Sequence, residues 1–210
     1  LGRMLAMTAR RLGYRIAVLD PEQDCPAAPV ADLALAAPFD DSQALRRLAE
    51  ASDIVTYEFE NIPTESLRQI ASLRTVLPDP SVLHTCQHRE REKKFLQSSG
   101  FPCPRFEVVA SAADLASALK KFPGKSRLKS SAFGYDGKGQ LALEPGSDPV
   151  RSWSQANVTR AILEEHVPFV RELSVLVARN AQGRSLAFPP FENRHAAGVL
   201  ERTVFPARLA

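Results

Sequence analysis

The chain has 210 residues, 44% of them hydrophobic and 24% charged, with a net charge of +3. This is globular composition, enough for one large domain or two smaller ones that each bury a core. Three widely spaced cysteines (Cys25, Cys86 and Cys103) argue against a disulfide framework and read as reduced thiols. No apolar run approaches the ~18–20 residues of a membrane span, no signal peptide opens the chain, and no dense basic stripe with interleaved aromatics marks a nucleic-acid binder. The expectation is a cytoplasmic protein with neither a membrane nor a nucleic-acid partner.

Leu1, Met4, Leu5, Thr8 and Leu12 recur at helical spacing, and Gly13 is a natural stop. Residues 16–20 read as a buried strand ended by Pro21, and residues 31–37 form a second apolar run. Ser42 is expected to cap a helix through Ala51. Residues 53–60 read as a strand that finishes in carboxylates, followed by a helix over 64–72. Such alternation implies parallel βαβ units, whose ligand sites lie beyond the carboxyl ends of the strands. Asp20, Glu58 and Glu60 fall at such ends, so this first part reads as a substrate-binding half.

Residues 87–99 read as a charged helix ended by Gly100, and Phe101-Pro102-Cys103-Pro104 as a boundary. Beyond it the pattern becomes α+β. Strands are expected over 106–109, 127–129, 140–143, 161–165 and 172–179, a helix over 111–121, and a turn over 144–149. Trp153 and the phenylalanines are expected in the core. Leu1 is not a methionine, and Val204 to Ala210 stop without an obvious cap. Both ends are therefore expected to be cuts within a larger protein.

The richest local signal is Gly134-Tyr135-Asp136-Gly137-Lys138-Gly139-Gln140, placed directly after the strand that ends in Leu128-Lys129. Glycines bring backbone N–H groups close to a ligand, and lysines beside them suit phosphates. Neither a Gly-x-x-x-x-Gly-Lys-Ser/Thr nor a Gly-x-Gly-x-x-Gly motif occurs, nor His-Glu-x-x-His or Cys-x-x-Cys. Lys129, Lys138 and Arg89 are the candidate phosphate cations; solvated surface charge is the competing reading for each. Lys129 stands out because it closes an apolar strand before the loop. His84 and His88, at helical i,i+4 spacing, suggest a metal pair, but no third ligand lies nearby in the sequence.

An ordered series of segments resembles the N5-carboxyaminoimidazole ribonucleotide synthetase family of ATP-grasp enzymes. The loop 134–140 after Lys129 is similar to that family's nucleotide-covering loop. Leu1-Gly2-Arg3-Met4 resembles the tail of its amino-terminal glycine loop, and Thr56-Tyr57-Glu58-Phe59-Glu60-Asn61 its acidic strand end. Gln87-His88-Arg89 with Lys93, Ile162-Leu163-Glu164-Glu165-His166-Val167, and Arg171-Glu172-Leu173-Ser174-Val175 continue the match. Glu192-Asn193-Arg194-His195 and Pro206-Ala207-Arg208 complete it. Phe133 stands where the family usually has a second glycine, and His88 where it usually has aspartate.

The resemblance implies an α/β ATP-grasp fold in three parts. These are an N-terminal parallel-sheet (pre-ATP-grasp) domain over 1–100 with its first strand missing, a small α+β lid over 101–167, and the incomplete beginning of the central domain over 168–210. It implies that Arg89 and Lys129 contact ATP phosphates and that Gly134, Tyr135, Asp136, Gly137, Lys138, Gly139 and Gln140 fold over them. Glu164, Glu165, His166 and Val167 would hold the adenine edge, largely through backbone groups. Glu172 would bond the ribose hydroxyls, and His195 would lie near the nucleotide. Tyr135 and Asp136, with Glu58 or Glu60, would face 5-aminoimidazole ribonucleotide, and Tyr135, Asp136 and Lys138 would serve the reaction. The implied activity is MgATP- and bicarbonate-dependent carboxylation of that ribonucleotide in de novo purine biosynthesis. The Mg2+ ligands are expected outside this segment and no metal ligand is assigned within it. The 210 residues alone are expected to be inactive, and the full-length protein a homodimer. The alternatives are another ATP-grasp carboxylase or ligase, such as a formate-dependent glycinamide ribonucleotide transformylase, or a non-catalytic nucleotide-binding fragment.

Overall fold

The structure, a computed structural model, describes residues 1–132, 139–196 and 199–208. The chain divides into two compact units, Leu1–Ser99 and Gly100–Ala210.

The first unit opens with helix α1 (Gly2–Arg11), stopped where Gly13 takes φ +88°. Strands β1 (Ala17–Asp20) and β2 (Leu33–Ala36) pair in parallel, Ala17 opposite Leu33 and Asp20 opposite Ala36. Helix α2 (Ser42–Glu50) follows, then β3 (Ile54–Val55), α3 (Thr64–Ala71) and β4 (Thr75–Val76), with β3 and β4 again parallel. Helices α4 (Pro80–Cys86) and α5 (Arg89–Ser98) close the unit. Leu45, Leu48 and Ala49 of α2 meet Leu67 and Ile70 of α3, packed with Leu35, Val55, Val76 and Leu83. The i, i+3, i+4 spacing within each helix puts these apolar side chains on one stripe.

Three local expectations need correction. The cap of α2 is Asp41, whose carboxylate accepts from the Ala44 N–H at 2.8 Å. Ser42 lies one residue inside the helix, and its hydroxyl bonds the Gln69 amide at 3.3 Å. The strand expected over 53–60 is only Ile54–Val55. Its partner β4 pairs only two residues, and the last rung is the Leu77 N–H to the Val55 carbonyl at 2.9 Å. Glu58 and Glu60 therefore sit in the loop beyond the strand. The helix expected over 87–99 starts at Arg89, so His84 belongs to α4 and His88 to the cap of α5. The two imidazoles do not share one helix, which removes the geometric basis for a metal pair.

In the second unit β5 (Phe106–Val109), β6 (Ser126–Ser130), β7 (Gln140–Leu143) and β8 (Ala161–Glu165) form an antiparallel sheet of order β5-β8-β6-β7. Helices α6 (Ala112–Leu119), capped by Ser111, and α7 (Pro149–Ala156), capped by Asp148, cover one face. Val109, Leu128, Leu143, Ala161 and Leu163 point into that helix-side core with Leu115, Ala118 and Phe122, and Trp153 packs partly buried against it.

The run expected as one strand over 172–179 is two. Strand β9 (Glu172–Ser174) joins β12 (Phe191–Ala196) and β13 (Val199–Val204), while β10 (Val177–Arg179) pairs with β11 (Ser185–Ala187). The apolar run Val175 to Ala178 hides the break, because it has no alternation to register a change of sheet. Nor do the phenylalanines fill the core as a class. Phe122 is buried, whereas Phe59, Phe95, Phe101, Phe169, Phe188 and Phe205 are exposed. Some cover one another instead, as Phe191 and Phe205 do with ring centroids 4.6 Å apart.

Candidate functional site

Strand alternation decides which side chains of the four-stranded sheet are available for chemistry. With Leu128 opposite Leu163 in the helix-side core, the residues on either side of them must face the other way. Arg127 opposite Glu164, and Lys129 opposite Ile162 and Gln140, therefore share the sheet's other face. There the Lys129 ammonium forms an ion pair with Glu164 Oε1 on the diagonal. The Glu164 side chain is only 7% exposed and that of Lys129 24%. A carboxylate buried this deeply is tolerable when a cation compensates it. The pair holds the ammonium at a fixed place on that face.

The same strands carry the glycine-rich segment. The Ser130 N–H donates to the Gly139 carbonyl at 2.7 Å, closing a hairpin between β6 and β7, and Gly139 has φ +71°, the left-handed region that glycine enters freely. Gln140 begins β7 directly across from Lys129. Gly134, Tyr135, Asp136, Gly137 and Lys138 lie outside the described residues, as does Phe133.

At the other end of β8 the chain turns through Glu164, Glu165, His166 and Val167. Glu165 faces the helix side, where Arg105 meets it with two bonds, Nε to Oε2 at 3.0 Å and Nη2 to Oε1 at 3.2 Å. The guanidinium beside Glu165 holds its carboxyl below the usual carboxylate range, and Arg105 is held correspondingly above its own. The backbone is tied as well: the Glu165 N–H donates to the Arg105 carbonyl at 3.0 Å and the His166 N–H to the Lys125 carbonyl at 3.1 Å.

Glu172 and His195 come together on the three-stranded sheet. Asn193 pairs directly with Glu172, and His195 follows two residues along β12, bringing its Nδ1 to 3.4 Å from Glu172 Oε2. Asn193 also accepts from the Thr203 hydroxyl at 3.0 Å, so the two strands flanking the pair are cross-linked by side chains.

Glu58, Glu60 and Arg89 belong to the first unit. Glu58 Oε1 accepts the Gly2 N–H at 2.9 Å, a carboxylate set on the positive end of α1. A Cβ at Gly2 would come within 3.3 Å of that oxygen, so glycine is the residue that admits the approach. The loop carrying Glu60 is fixed by Gln87, whose amide donates to the carbonyls of Glu60 at 3.1 Å and Ile62 at 3.0 Å while accepting from Thr64 at 2.6 Å. Sequence reading gave Gln87 and Arg105 no role of their own. The signal for Gln87 was its place beside Arg89; for Arg105 there was none until the pairing of β5 with β8 is known. Arg89 opens α5, half-buried. Burial pushes the Tyr57 hydroxyl above its ordinary range.

Residues 94–210 match the family model described as the ATP-grasp domain, and residues 1–87 match the ribonucleotide synthetase preATP-grasp domain. The chain belongs to the ATP-grasp family. This ATP-grasp chain is 41% identical to the N5-carboxyaminoimidazole ribonucleotide synthase of Brucella melitensis, the match covering 100% of this chain and 59% of the relative. A crystal structure of N5-carboxyaminoimidazole ribonucleotide synthetase in complex with ADP superposes with a TM-score of 0.95 at 39% identity, covering 100% of this chain and 56% of that one. The N5-carboxyaminoimidazole synthase of Aspergillus clavatus, in complex with ADP and 5-aminoimidazole ribonucleotide, superposes with a TM-score of 0.88 at 26% identity, covering 100% and 55%. The ATP-grasp chain thus spans little more than half the length of the proteins it resembles. The fold expected from the sequence, a parallel α/β part followed by ATP-grasp architecture, is the fold found.

Proposed function

We propose that the protein is an ATP- and bicarbonate-dependent carboxylase that converts 5-aminoimidazole ribonucleotide to N5-carboxyaminoimidazole ribonucleotide in de novo purine biosynthesis. The observation that carries this reading is the match, along the whole of this chain and little more than half of theirs, to synthases solved with ADP and with that ribonucleotide. The Lys129–Glu164 pair supports it, since an ammonium fixed on the strand that runs into the glycine-rich segment suits nucleotide phosphates.

In this reading a bicarbonate oxygen attacks the γ-phosphorus of ATP, the bond to the β-phosphate oxygen breaks, and ADP leaves. The carboxyphosphate formed, or the carbon dioxide it releases, is captured by the exocyclic amine, which loses a proton as phosphate departs. Such transfer is mostly positioning and charge neutralisation. Lys129 and Arg89 neutralise phosphate charge, Gly134 to Gln140 cover the site and exclude water from an intermediate that hydrolyses readily, and Glu164 to Val167 read the adenine edge. Glu172 takes the ribose hydroxyls with His195 beside it. Tyr135, Asp136 and Lys138 serve the reacting groups, and Glu58 or Glu60 the ribonucleotide. Mg2+ would neutralise the β- and γ-phosphates. No group of three or more His, Cys, Asp or Glu suited to a metal lies among the described residues.

The division into 1–100, 101–167 and 168–210 belongs to the same proposal, as do a homodimer and a cytoplasmic setting. The free state of Cys25, Cys86 and Cys103 supports that setting, and no helix among the described residues is long and apolar enough to cross a membrane. The test is ADP release by the full-length protein. Release that requires both bicarbonate and 5-aminoimidazole ribonucleotide is expected; release indifferent to both sinks the reading.

A further inference from the structure

Two consecutive carboxylates end strand β8, and the sheet ties them to opposite faces. Glu164 is held by Lys129 on one face, and Glu165 by Arg105 on the helix side. Arg105 is anchored three ways. Its guanidinium grips Glu165 with two bonds, its carbonyl takes the Glu165 N–H, and its Cζ lies 5.4 Å from the centroid of Phe122, a core ring only 6% exposed. A bidentate guanidinium–carboxylate contact fixes orientation as well as distance, and stacking on a buried ring holds the guanidinium itself. The residues immediately following are the ones whose backbone is proposed to read adenine.

We propose that Arg105 is a positioning residue that sets adenine specificity by locking the backbone where β8 leaves the sheet. This rests on the nucleotide site described under the proposed function. Adenine offers a donor and an acceptor on the edge where guanine offers the reverse, so two backbone groups discriminate between them only while held in register. A site built to hydrogen-bond one pattern rejects the other because its polar groups are left unmatched. Loosening the clamp spreads the hinge over several registers. It therefore weakens ATP binding while leaving the poor binding of GTP little changed.

The experiment measures dissociation constants for ATP and GTP on the full-length protein and on Arg105→Ala, Arg105→Lys, Glu165→Ala and the double variant. The expected result is a loss of ATP affinity of roughly two- to fivefold in Arg105→Ala, the range open to a partly exposed pair of good geometry. The GTP-to-ATP ratio falls by a similar factor, with partial rescue in Arg105→Lys. Because Arg105 acts through Glu165, adding Arg105→Ala to Glu165→Ala changes little further. Unchanged ATP affinity, or equal weakening of both nucleotides, overturns the proposal. A wild-type protein that binds neither nucleotide instead overturns the nucleotide site itself, so the two failures are distinguishable. Arg105 is 66% exposed in its side chain, which leaves the fold intact in the variants.

Discussion

Lys129 illustrates what one residue reveals in sequence and what it conceals. Its place at the end of an apolar strand before a glycine-rich loop marked it from the sequence, because a buried strand seldom ends in a cation without a partner. The partner, Glu164, lies 35 positions on and was assigned only through backbone groups. Its carboxylate became visible once antiparallel pairing of β6 with β8 put it on the diagonal. Structure and binding can be separated at this pair. Lys129→Met leaves a carboxylate that is 7% exposed without its ammonium, and unfolding in urea should show a loss of roughly 3 kcal/mol. Pairing it with Glu164→Leu should recover much of that loss, since two apolar side chains replace both charges. Affinity for ATP should behave differently: down by ~1–3 kcal/mol in Lys129→Met and still down in the double variant. Recovery of affinity along with stability would return Lys129 to a purely structural part.

At the scale of elements, helices were easier to read than strands for a physical reason. A helix carries its apolar stripe and its caps within one local segment, whereas a strand's length is set by a partner elsewhere. Hence α1 and α3 were legible, while β3 shrank to the two residues that β4 pairs, and residues 172–179 split between two sheets. The entry to β1 has its own tether. Asp32 accepts the Ile16 N–H at 2.7 Å and pairs with Arg10 at 2.8 Å, joining α1, β1 and the start of β2. The bond from Ile16 and the guanidinium hold its carboxyl below the ordinary 3.8. A carboxylate whose folded-state pKa is depressed stabilises the fold above its unfolded value and ceases to do so as pH falls through the folded one. Asp32→Asn should therefore unfold at lower urea than the parent at neutral pH, and the gap should close as pH falls from the ordinary carboxylate range through the lowered folded-state value. A gap that persists unchanged in acid would assign the effect to shape, not charge.

Across the whole molecule, burial is distributed unevenly in a way that bears on the proposed site. In β6 and β8 Leu128, Ala161 and Leu163 are at most 1% exposed, so this sheet and its helices have a core of their own. Strands β9 to β11 are exposed along their length, and β12 and β13 nearly so, with Val177, Leu186, Val199 and Leu200 more than half exposed. Two- and three-stranded sheets without a buried face are marginal in water, and exchange protection follows local packing. In the 210-residue chain, amide exchange should be slowest in β6 and β8 and faster by orders of magnitude in β9 to β13. The ligand sharpens this contrast into a test of the second half of the site. If Glu172 and His195 take the ribose end of a nucleotide whose phosphates rest on Lys129, bound ATP spans both sheets. It then adds binding free energy to every opening that breaks the site. Saturating ATP should slow exchange at residues 172–174 and 191–195 as well as at 126–130, in proportion to affinity. Protection confined to β6 and β8 would leave the Glu172–His195 pair as a surface contact and place the ribose elsewhere.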